Sequence, residues 1–207
     1  MNIILKYFPD LSTEKIEKLD ALKDLYFYWN EKINVISRKD IDQLYERHVL
    51  HSLSIAKIID FEPHTQILDV GTGGGFPGIP LAILFPKSRF HLIDATAKKL
   101  LVVEGVADTL DLENVTSEHI RAEDIEDKYD FIVSRAVTNL PKFYEWVKRK
   151  VSSDSFNKID NGVLYIKGGD FKNELKQIRA KKSIYELSDM FEEEFFETKK
   201  IVHLARR

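Results

Sequence analysis

Two acidic residues and a run of glycines are the part of this sequence whose types and spacing could do chemistry. Asp69 ends an apolar run, and Gly71, Gly73 and Gly75 follow it directly. Glycine adopts positive φ and lets a ligand contact the backbone. Asp94 ends the next apolar run, where a carboxylate can accept hydrogen bonds from ribose hydroxyls. The pattern therefore predicts a binding site for a nucleotide-like ligand.

Two common phosphate-binding loops do not fit this glycine run. The dinucleotide fingerprint needs a third glycine three residues after the second, where this chain has Phe76. The P-loop needs Lys and then Ser or Thr after its last glycine, but Ile79 follows Gly78. The remaining interpretation is an acid-x-Gly-x-Gly-x-Gly pattern, which resembles the first motif of the class I S-adenosylmethionine methyltransferases. In those enzymes the glycines admit the methionyl and ribose portions of the cofactor.

The elements that must position this loop follow from a change of pattern near residue 62. Beyond it, short strands are expected at 66–70, 89–93, 114–119, 131–134 and 162–166, with helices at 97–110 and 141–150. The alternation predicts an α/β fold, a parallel sheet with helices on both faces. The tail predicts an antiparallel C-terminal hairpin, with strands at 184–191 and 200–205 around an acidic turn at 192–194.

The segment before residue 62 has a helical pattern throughout. Ser12 can cap a first helix, whose apolar residues recur at three- and four-residue steps. Asp40 and Gln43 resemble a capping box that opens a second helix. We therefore predict an N-terminal helical extension at 1–61 and an S-adenosylmethionine-binding domain at 62–207.

Composition excludes several classes of protein. The 207 residues include no cysteine, which excludes disulfides, thiolate metal sites and a cysteine nucleophile. The six histidines show no metal-ligand spacing, so no metal is expected. No signal peptide pattern is visible, and no apolar run approaches the roughly 20 residues of a membrane span. The absence of cysteine fits a cytoplasmic protein. Because the net charge is -3, we expect any contact with RNA to be local or helped by a partner.

Several motifs together resemble the glucose-inhibited division protein B family. They are the run Asp-Val-Gly-Thr-Gly-Gly-Gly-Phe-Pro-Gly-Ile-Pro at 69–80 and the segments 34–37, 47–48 with Ser52, 132–136 and 164–168. The resemblance extends from about residue 28 to the end of the chain. It implies a bacterial enzyme of the Rossmann-like class I fold that methylates guanine N7 in 16S ribosomal RNA. S-adenosylmethionine would be the methyl donor and S-adenosylhomocysteine the product.

The motif and the resemblance together assign candidate residues. Cofactor contacts are expected from Gly71, Gly73, Phe76, Asp94, Ala95, Thr96, Ala122, Glu123 and Arg135. The RNA-binding candidates are Arg38, Arg47, His48, Lys98 and Lys167, and the candidates for positioning the substrate are Arg135 and Lys167. Glu123 could instead be a solvated charge and Arg135 a structural ion pair. The N-terminal helices could simply cap the sheet.

Methyl transfer to guanine N7 needs orientation rather than acid–base catalysis. N7 carries a lone pair and no proton, so no general base is required. The enzyme must align the lone pair, the methyl carbon and the sulfur. The base must also leave its stack, and Phe76, Arg135 and Tyr165 are candidate stacking surfaces. We expect a monomer that acts on 16S rRNA within the small ribosomal subunit or an assembly intermediate.

Alternative activities are separated by single features of the sequence. A 5-methylcytosine enzyme would need a cysteine, and an exocyclic-amine methyltransferase usually carries Asn or Asp-Pro-Pro-Tyr where this chain has Ser134-Arg-Ala-Val. Phe76 disfavours a nicotinamide oxidoreductase. A small-molecule methyltransferase and a non-catalytic ribosome-assembly factor stay open.

Overall fold

A seven-stranded sheet forms the centre of the computed structural model, which describes residues 1–135 and 137–206. The strands are β1 (Gln66–Val70), β2 (Arg89–Asp94), β3 (Val115–His119), β4 (Phe131–Arg135), β5 (Gly162–Gly168), β6 (Lys181–Glu186) and β7 (Lys199–Ala205). Their order across the sheet is β3-β2-β1-β4-β5-β7-β6. The first five strands are parallel to one another, and β7 is antiparallel to both β5 and β6.

Helices surround this sheet. They are α1 (Asn2–Tyr7), α2 (Thr13–Lys32), α3 (His51–Leu53), α4 (Gly78–Leu84), α5 (Ala97–Thr109), α6 (Leu140–Val147) and α7 (Lys172–Lys176). A π-helical turn, Tyr45–Leu50, runs directly into α3. In the described part of the chain, no helix is both long and apolar enough to cross a membrane.

The central strands alternate their side chains between two hydrophobic cores. On β1, Ile67 belongs to the core that α2, α4 and α5 cover, whereas Leu68 belongs to the core under α6 and α7. On β4, Phe131 and Ile132 divide in the same way. A strand buried on both faces explains the nearly continuous apolar runs in the sequence. The predicted α/β fold with helices on both faces is confirmed.

The predicted C-terminal hairpin is confirmed, but its first strand was placed wrongly. β6 covers Lys181–Glu186, and Leu187–Asp189 forms a 3-10 turn where 184–191 was expected to be extended. Leu187 is fully buried and Phe191 nearly so. Burying both side chains directs the chain back into the core and ends the strand early.

The N-terminal segment confirms one predicted cap and overturns the other. The Ser12 hydroxyl accepts a hydrogen bond from the Lys15 amide at the start of α2. Asp40 caps no helix; its carboxylate accepts hydrogen bonds from Ser37 Oγ and Arg47 Nη1, each at 2.6 Å. The reason is that a charged guanidinium is a stronger donor to a carboxylate than a backbone amide.

Helix α2 packs closely against the rest of the molecule. The indole ring of Trp29 lies against Gly105 of α5, where a Cβ atom would overlap it. Leu19 and Leu22 share one hydrophobic core with Ile67 and Phe131 of the sheet. The division of the chain into 1–61 and 62–207 stays a prediction.

Candidate active site at the carboxyl edge of the sheet

The glycine loop leaves β1 with three left-handed residues. Gly71, Gly73 and Gly75 have φ values of 68°, 60° and 102°. A Cβ on Gly71 would lie 2.5 Å from Val137, whereas a Cβ on Gly73 would meet nothing within 4 Å. Gly73 is therefore the point where the loop backbone borders open space, as a ligand-binding cradle requires.

The two acids of the motif have different tasks. Asp69 is fully buried, and its Oδ2 accepts hydrogen bonds from Thr72 Oγ1 at 2.6 Å and the Gly78 amide at 2.8 Å. Burial raises the pKa of Asp69 to about 7 against the opposing effect of these hydrogen bonds. Because Asp69 lies beneath the loop, it fixes the shape of the loop and does not face a ligand.

Asp94 ties the glycine loop to the end of β2. Its Oδ2 accepts from the Gly73 amide at 2.9 Å and its Oδ1 from the Thr96 amide at 2.8 Å. A carboxylate has about four accepting positions. Each oxygen thus keeps capacity for a further donor, such as a ribose hydroxyl, and the residues present fit the ribose of a nucleotide-like cofactor.

The remaining cofactor candidates lie at the same edge with different exposures. Ala95 and Thr96 are exposed directly after β2. Ala122 is buried and Glu123 exposed in a 3-10 turn after β3. The carbonyl of Glu123 accepts a hydrogen bond from Lys150. These positions border the cofactor side of the sheet, and their individual contacts stay predictions.

Phe76 and Tyr165 do not offer the stacking surfaces that the sequence suggested. Phe76 is 3% exposed, with its ring centroid 4.7 Å from that of Tyr26 and 5.2 Å from that of His48. Tyr165 is fully buried, and its hydroxyl donates to the Thr138 carbonyl at 2.7 Å. Both rings are buried by neighbouring aromatic side chains, so neither is available to stack on a base.

Helix α2 supports the glycine loop from below. The hydroxyl of the buried Tyr26 donates to the Gly74 carbonyl at 2.7 Å. Val35 packs so closely on Gly74 that a Cβ there would lie 2.8 Å from it. The N-terminal segment therefore helps to shape the cofactor loop as well as to cover the sheet.

Arg135, at the end of β4, joins the N-terminal segment to the sheet. It donates to His48 Nδ1 at 3.0 Å and to the Arg47 carbonyl at 3.2 Å, and its guanidinium lies 5.3 Å from the centroid of the Phe76 ring. Burial lowers the pKa of Arg135 to about 10, so it stays charged at neutral pH. Burial also lowers the pKa of His48 to about 3, aided by the charge of Arg135. His48 is thus a neutral acceptor.

A cavity of about 340 Å³ lies beside Arg135, on the β5 side. We call it the β4–β5 cavity, and its lining includes Arg47, His48, His51, Arg135, Lys167, Phe195 and Lys199. Lys167 is paired with Glu174 at 2.7 Å, and Arg47 with Asp40 at 2.6 Å. The buried Nε of Arg47 has no partner among the described residues. The cavity therefore combines positive charge with an unused donor.

Of the six residues predicted to bind RNA or to position the substrate, four lie together in this cavity and two lie outside it. Arg47, His48, Arg135 and Lys167 line it. Arg38 and Lys98 are exposed elsewhere on the surface.

The other six lining residues were not predicted as site residues from the sequence; they are Asp40, His51, Ile166, Gly168, Phe195 and Lys199. Lys199 arrives because β7 pairs antiparallel with β5 and places it opposite Gly168. The hairpin register would have been the only signal for it. His51 follows Arg47 by one helical turn, and the spacing could have indicated a shared face.

A larger cavity, about 670 Å³, lies at the opposite edge of the sheet, among residues such as Arg89 and Phe90 at the start of β2. Ligands of open parallel sheets bind at the carboxyl ends of the strands. The smaller cavity at the carboxyl edge is therefore the candidate site.

Comparison with solved structures defines the class of this fold. The chain is similar to a SAM dependent methyltransferase from Aquifex aeolicus, with a TM-score of 0.59, 18% identity and coverage of 82% of this chain and 98% of that one. It is also similar to Aeropyrum pernix fibrillarin in complex with S-adenosyl-L-methionine, with a TM-score of 0.54, 13% identity and coverage of 77% and 75%. The fold is the Rossmann-like methyltransferase fold.

Sequence comparison defines the family. Residues 15–202 match the family described as "GidB: rRNA small subunit methyltransferase G". The ribosomal RNA small subunit methyltransferase G of Flavobacterium johnsoniae is 61% identical over 204 residues, covering 99% of this chain and 97% of that protein. The protein of the same name from Bacteroides thetaiotaomicron is 54% identical, covering 98% of each. The chain belongs to this family, and the resemblance seen in its sequence motifs is confirmed.

Proposed function

We propose that this protein transfers the methyl group of S-adenosylmethionine to N7 of a guanine in 16S ribosomal RNA. The proposal rests on two features that lie side by side at the carboxyl edge of the sheet: the glycine loop with its acid, and the β4–β5 cavity. An open glycine loop with its acid, Gly73 and Asp94, lies on one side of Arg135. The cationic β4–β5 cavity lies on the other side. Family membership supports the same reaction.

S-adenosylmethionine is the cofactor, and when bound it supplies a methyl group on a positively charged sulfur. Gly73 gives the backbone an open approach, since a Cβ there would meet nothing within 4 Å. Asp94 is fixed by the amides of Gly73 and Thr96 and can accept from ribose hydroxyls. The strand order places these groups on the β1–β2 side of β4.

The chain's own task is to hold the nucleophile in line, because N7 brings its own lone pair. His48 is not arranged as a base: its Nδ1 accepts from Arg135, and burial keeps its pKa at about 3. Asp69 is fully buried and committed to Thr72 and Gly78. Both groups shape the site and neither removes a proton.

The RNA is bound locally, through the N-terminal segment and the cavity. The net charge of -3 is too low for long-range capture of phosphate backbone. Arg47 and Lys199 line the same cavity and bring positive charge to one place. This arrangement suits an RNA loop that ribosomal structure holds in shape, in the small subunit or an assembly intermediate. The protein would act as a cytoplasmic monomer.

The test is transfer of a labelled methyl group by the purified protein. Naked 16S rRNA and small subunits from cells lacking the gene are the two substrates, and digested nucleosides are identified by mass spectrometry. We expect 7-methylguanosine, formed faster on subunits. Cofactor binding without transfer to either substrate would instead favour a non-catalytic assembly factor. Equal rates on both substrates would contradict the preference for structured RNA.

A further inference from the structure

His51 lines the β4–β5 cavity, and one of its two ring nitrogens has no hydrogen-bond partner among the described residues. It is 6% exposed, and its Nε2 has no hydrogen-bond partner among the described residues. The edges of two aromatic rings pack around it, with centroids 5.1 Å away at Phe195 and 5.9 Å at Phe196. A buried polar atom without a partner costs free energy, and because His51 also lines the cavity, a ligand there that donates a hydrogen bond to Nε2 would recover that cost.

The bonding of the other ring nitrogen fixes what Nε2 can do. The backbone carbonyl of Arg47 is a partner of the His51 ring, and because Nε2 is unpartnered we assign this contact to Nδ1. Burial lowers the pKa of His51 well below its usual value, so the ring is neutral. A neutral imidazole that donates from Nδ1 carries a lone pair on Nε2. His51, a lining residue of the cavity, therefore carries an acceptor that is closed off from solvent and that no described residue uses.

The surroundings of His51 fit a flat aromatic base better than a bare phosphate. Ile166 and Phe195 give the cavity apolar walls, and the volume of about 340 Å³ lies in the range of small-ligand sites. A phosphodiester has no proton to donate to Nε2. The cations Arg47 and Lys199 line the cavity itself, where they can contact phosphates flanking an inserted base.

We propose that the β4–β5 cavity receives the target base and that His51 Nε2 accepts a hydrogen bond from the exocyclic 2-amino group of guanine. The inference rests on the proposed function and adds a residue that determines which base is methylated. His51 is a specificity residue that contacts the edge of the base far from the reacting nitrogen.

The geometry of guanine makes the 2-amino group the right partner. Its N7 must point toward the cofactor side, past Arg135, and the 2-amino group lies on the opposite side of the purine. Adenine has no amino group at that carbon and would leave His51 unpaired. A site built to bond a polar group discriminates strongly against an analogue that lacks it. His51 thus selects guanine over adenine without touching the methylated atom.

The experiment compares guanosine with inosine at the methylated position of reconstituted small subunits. Inosine keeps N7 and lacks only the 2-amino group. For the unaltered protein we expect kcat/KM to fall about tenfold on inosine, the effect of one lost buried hydrogen bond. In His51→Phe we expect low activity on guanosine and no further fall on inosine. The pair forms a double-mutant cycle between residue and base.

Two further variants separate recognition from packing. His51→Gln keeps an acceptor near Nε2 and should restore most of the preference for guanosine. The matched control is His203→Phe, which alters another buried histidine whose Nε2 contacts the Asp160 carbonyl at 2.9 Å. It should keep the full guanosine preference.

The outcomes distinguish this inference from the proposed function. An unchanged guanosine-to-inosine ratio in His51→Phe, with S-adenosylhomocysteine affinity and melting temperature retained, would overturn the role of His51 and leave guanine methylation intact. If His51→Phe does not fold, the smaller His51→Leu replaces it, because leucine also lacks an acceptor; an unchanged guanosine-to-inosine ratio in folded His51→Leu would overturn the role of His51. Absence of methylation by the unaltered protein would overturn the function itself.

Discussion

The carboxyl edge of the sheet is divided at β4 into two halves that are built differently. The half to which we assign the cofactor, here called the cofactor half, is centred on residues 69–96, in which Gly73 and Asp94 are joined directly by a hydrogen bond. The substrate half collects Arg47, Arg135 and Lys199 from three distant segments. Backbone amides dominate the first half and charged side chains the second. Both halves contact the N-terminal segment, but the cofactor half should depend more on the backbone geometry of the loop, and the substrate half more on the docking of that segment.

The largest expected effect comes from the backbone of the cofactor half. Gly73→Val places a branched side chain in the open space at the loop and strains a φ of 60°. We expect the affinity for S-adenosylhomocysteine, measured by calorimetry, to fall by about 100-fold or more. Gly169→Val is the matched control, since Gly169 has a φ of 78° and equally open surroundings. An unchanged affinity in a folded Gly73→Val protein would show that the loop does not border the cofactor.

A second test uses the neutral histidine that supports the substrate half. The pKa of His48 is about 3 in the folded protein, below its ordinary value near 6.5. Below pH 6.5 the unfolded chain therefore binds a proton that the folded chain does not, and stability falls as the pH falls. Between pH 7 and pH 5 the loss should be about 2 kcal/mol from this residue.

Urea unfolding at the two pH values measures this loss. His48→Asn keeps an acceptor for Arg135 and removes the titrating ring, so its stability should depend less on pH. An equally steep dependence in His48→Asn would mean that His48 is protonated in the folded protein.

Charge reversal separates the cavity from the outer surface. Arg47→Glu removes a cation that lines the cavity, and we expect kcat/KM for RNA to fall about tenfold with cofactor affinity unchanged. Arg38→Glu, outside the cavity, should cost about twofold to threefold. Loss of cofactor affinity in Arg47→Glu would show that Arg47 supports the fold instead. A larger fall in kcat/KM for Arg38→Glu than for Arg47→Glu would indicate that the RNA binds outside the cavity.

The smallest effect is expected at Glu123. Its side chain is exposed after β3, so a hydrogen bond from it to the cofactor would compete with water. Glu123→Gln should weaken cofactor binding by about threefold or less and should not abolish transfer. A complete loss of transfer with the cofactor still bound would assign the carboxylate a role in the chemistry.

How much the sequence predicts differs between the two halves. The positions of Asp69, the glycines and Asp94 can be predicted because they lie at the end of a buried strand or directly after it. Lys199 is not, because its place depends on the register of β7 against β5. Phe76 is a similar case: its type suggests a ligand contact, yet packing against Tyr26 and His48 buries its ring.

The central claim is that this fold methylates N7 of a guanine in 16S rRNA. Its most direct test is mass spectrometry of nucleosides and oligonucleotides from 16S rRNA of cells with the gene, without it, and complemented with the Gly73→Val variant. We predict one 7-methylguanosine that disappears without the gene and is not restored by Gly73→Val. An identical set of modifications in all three 16S rRNA samples, or loss of a different methylated nucleoside, would contradict it.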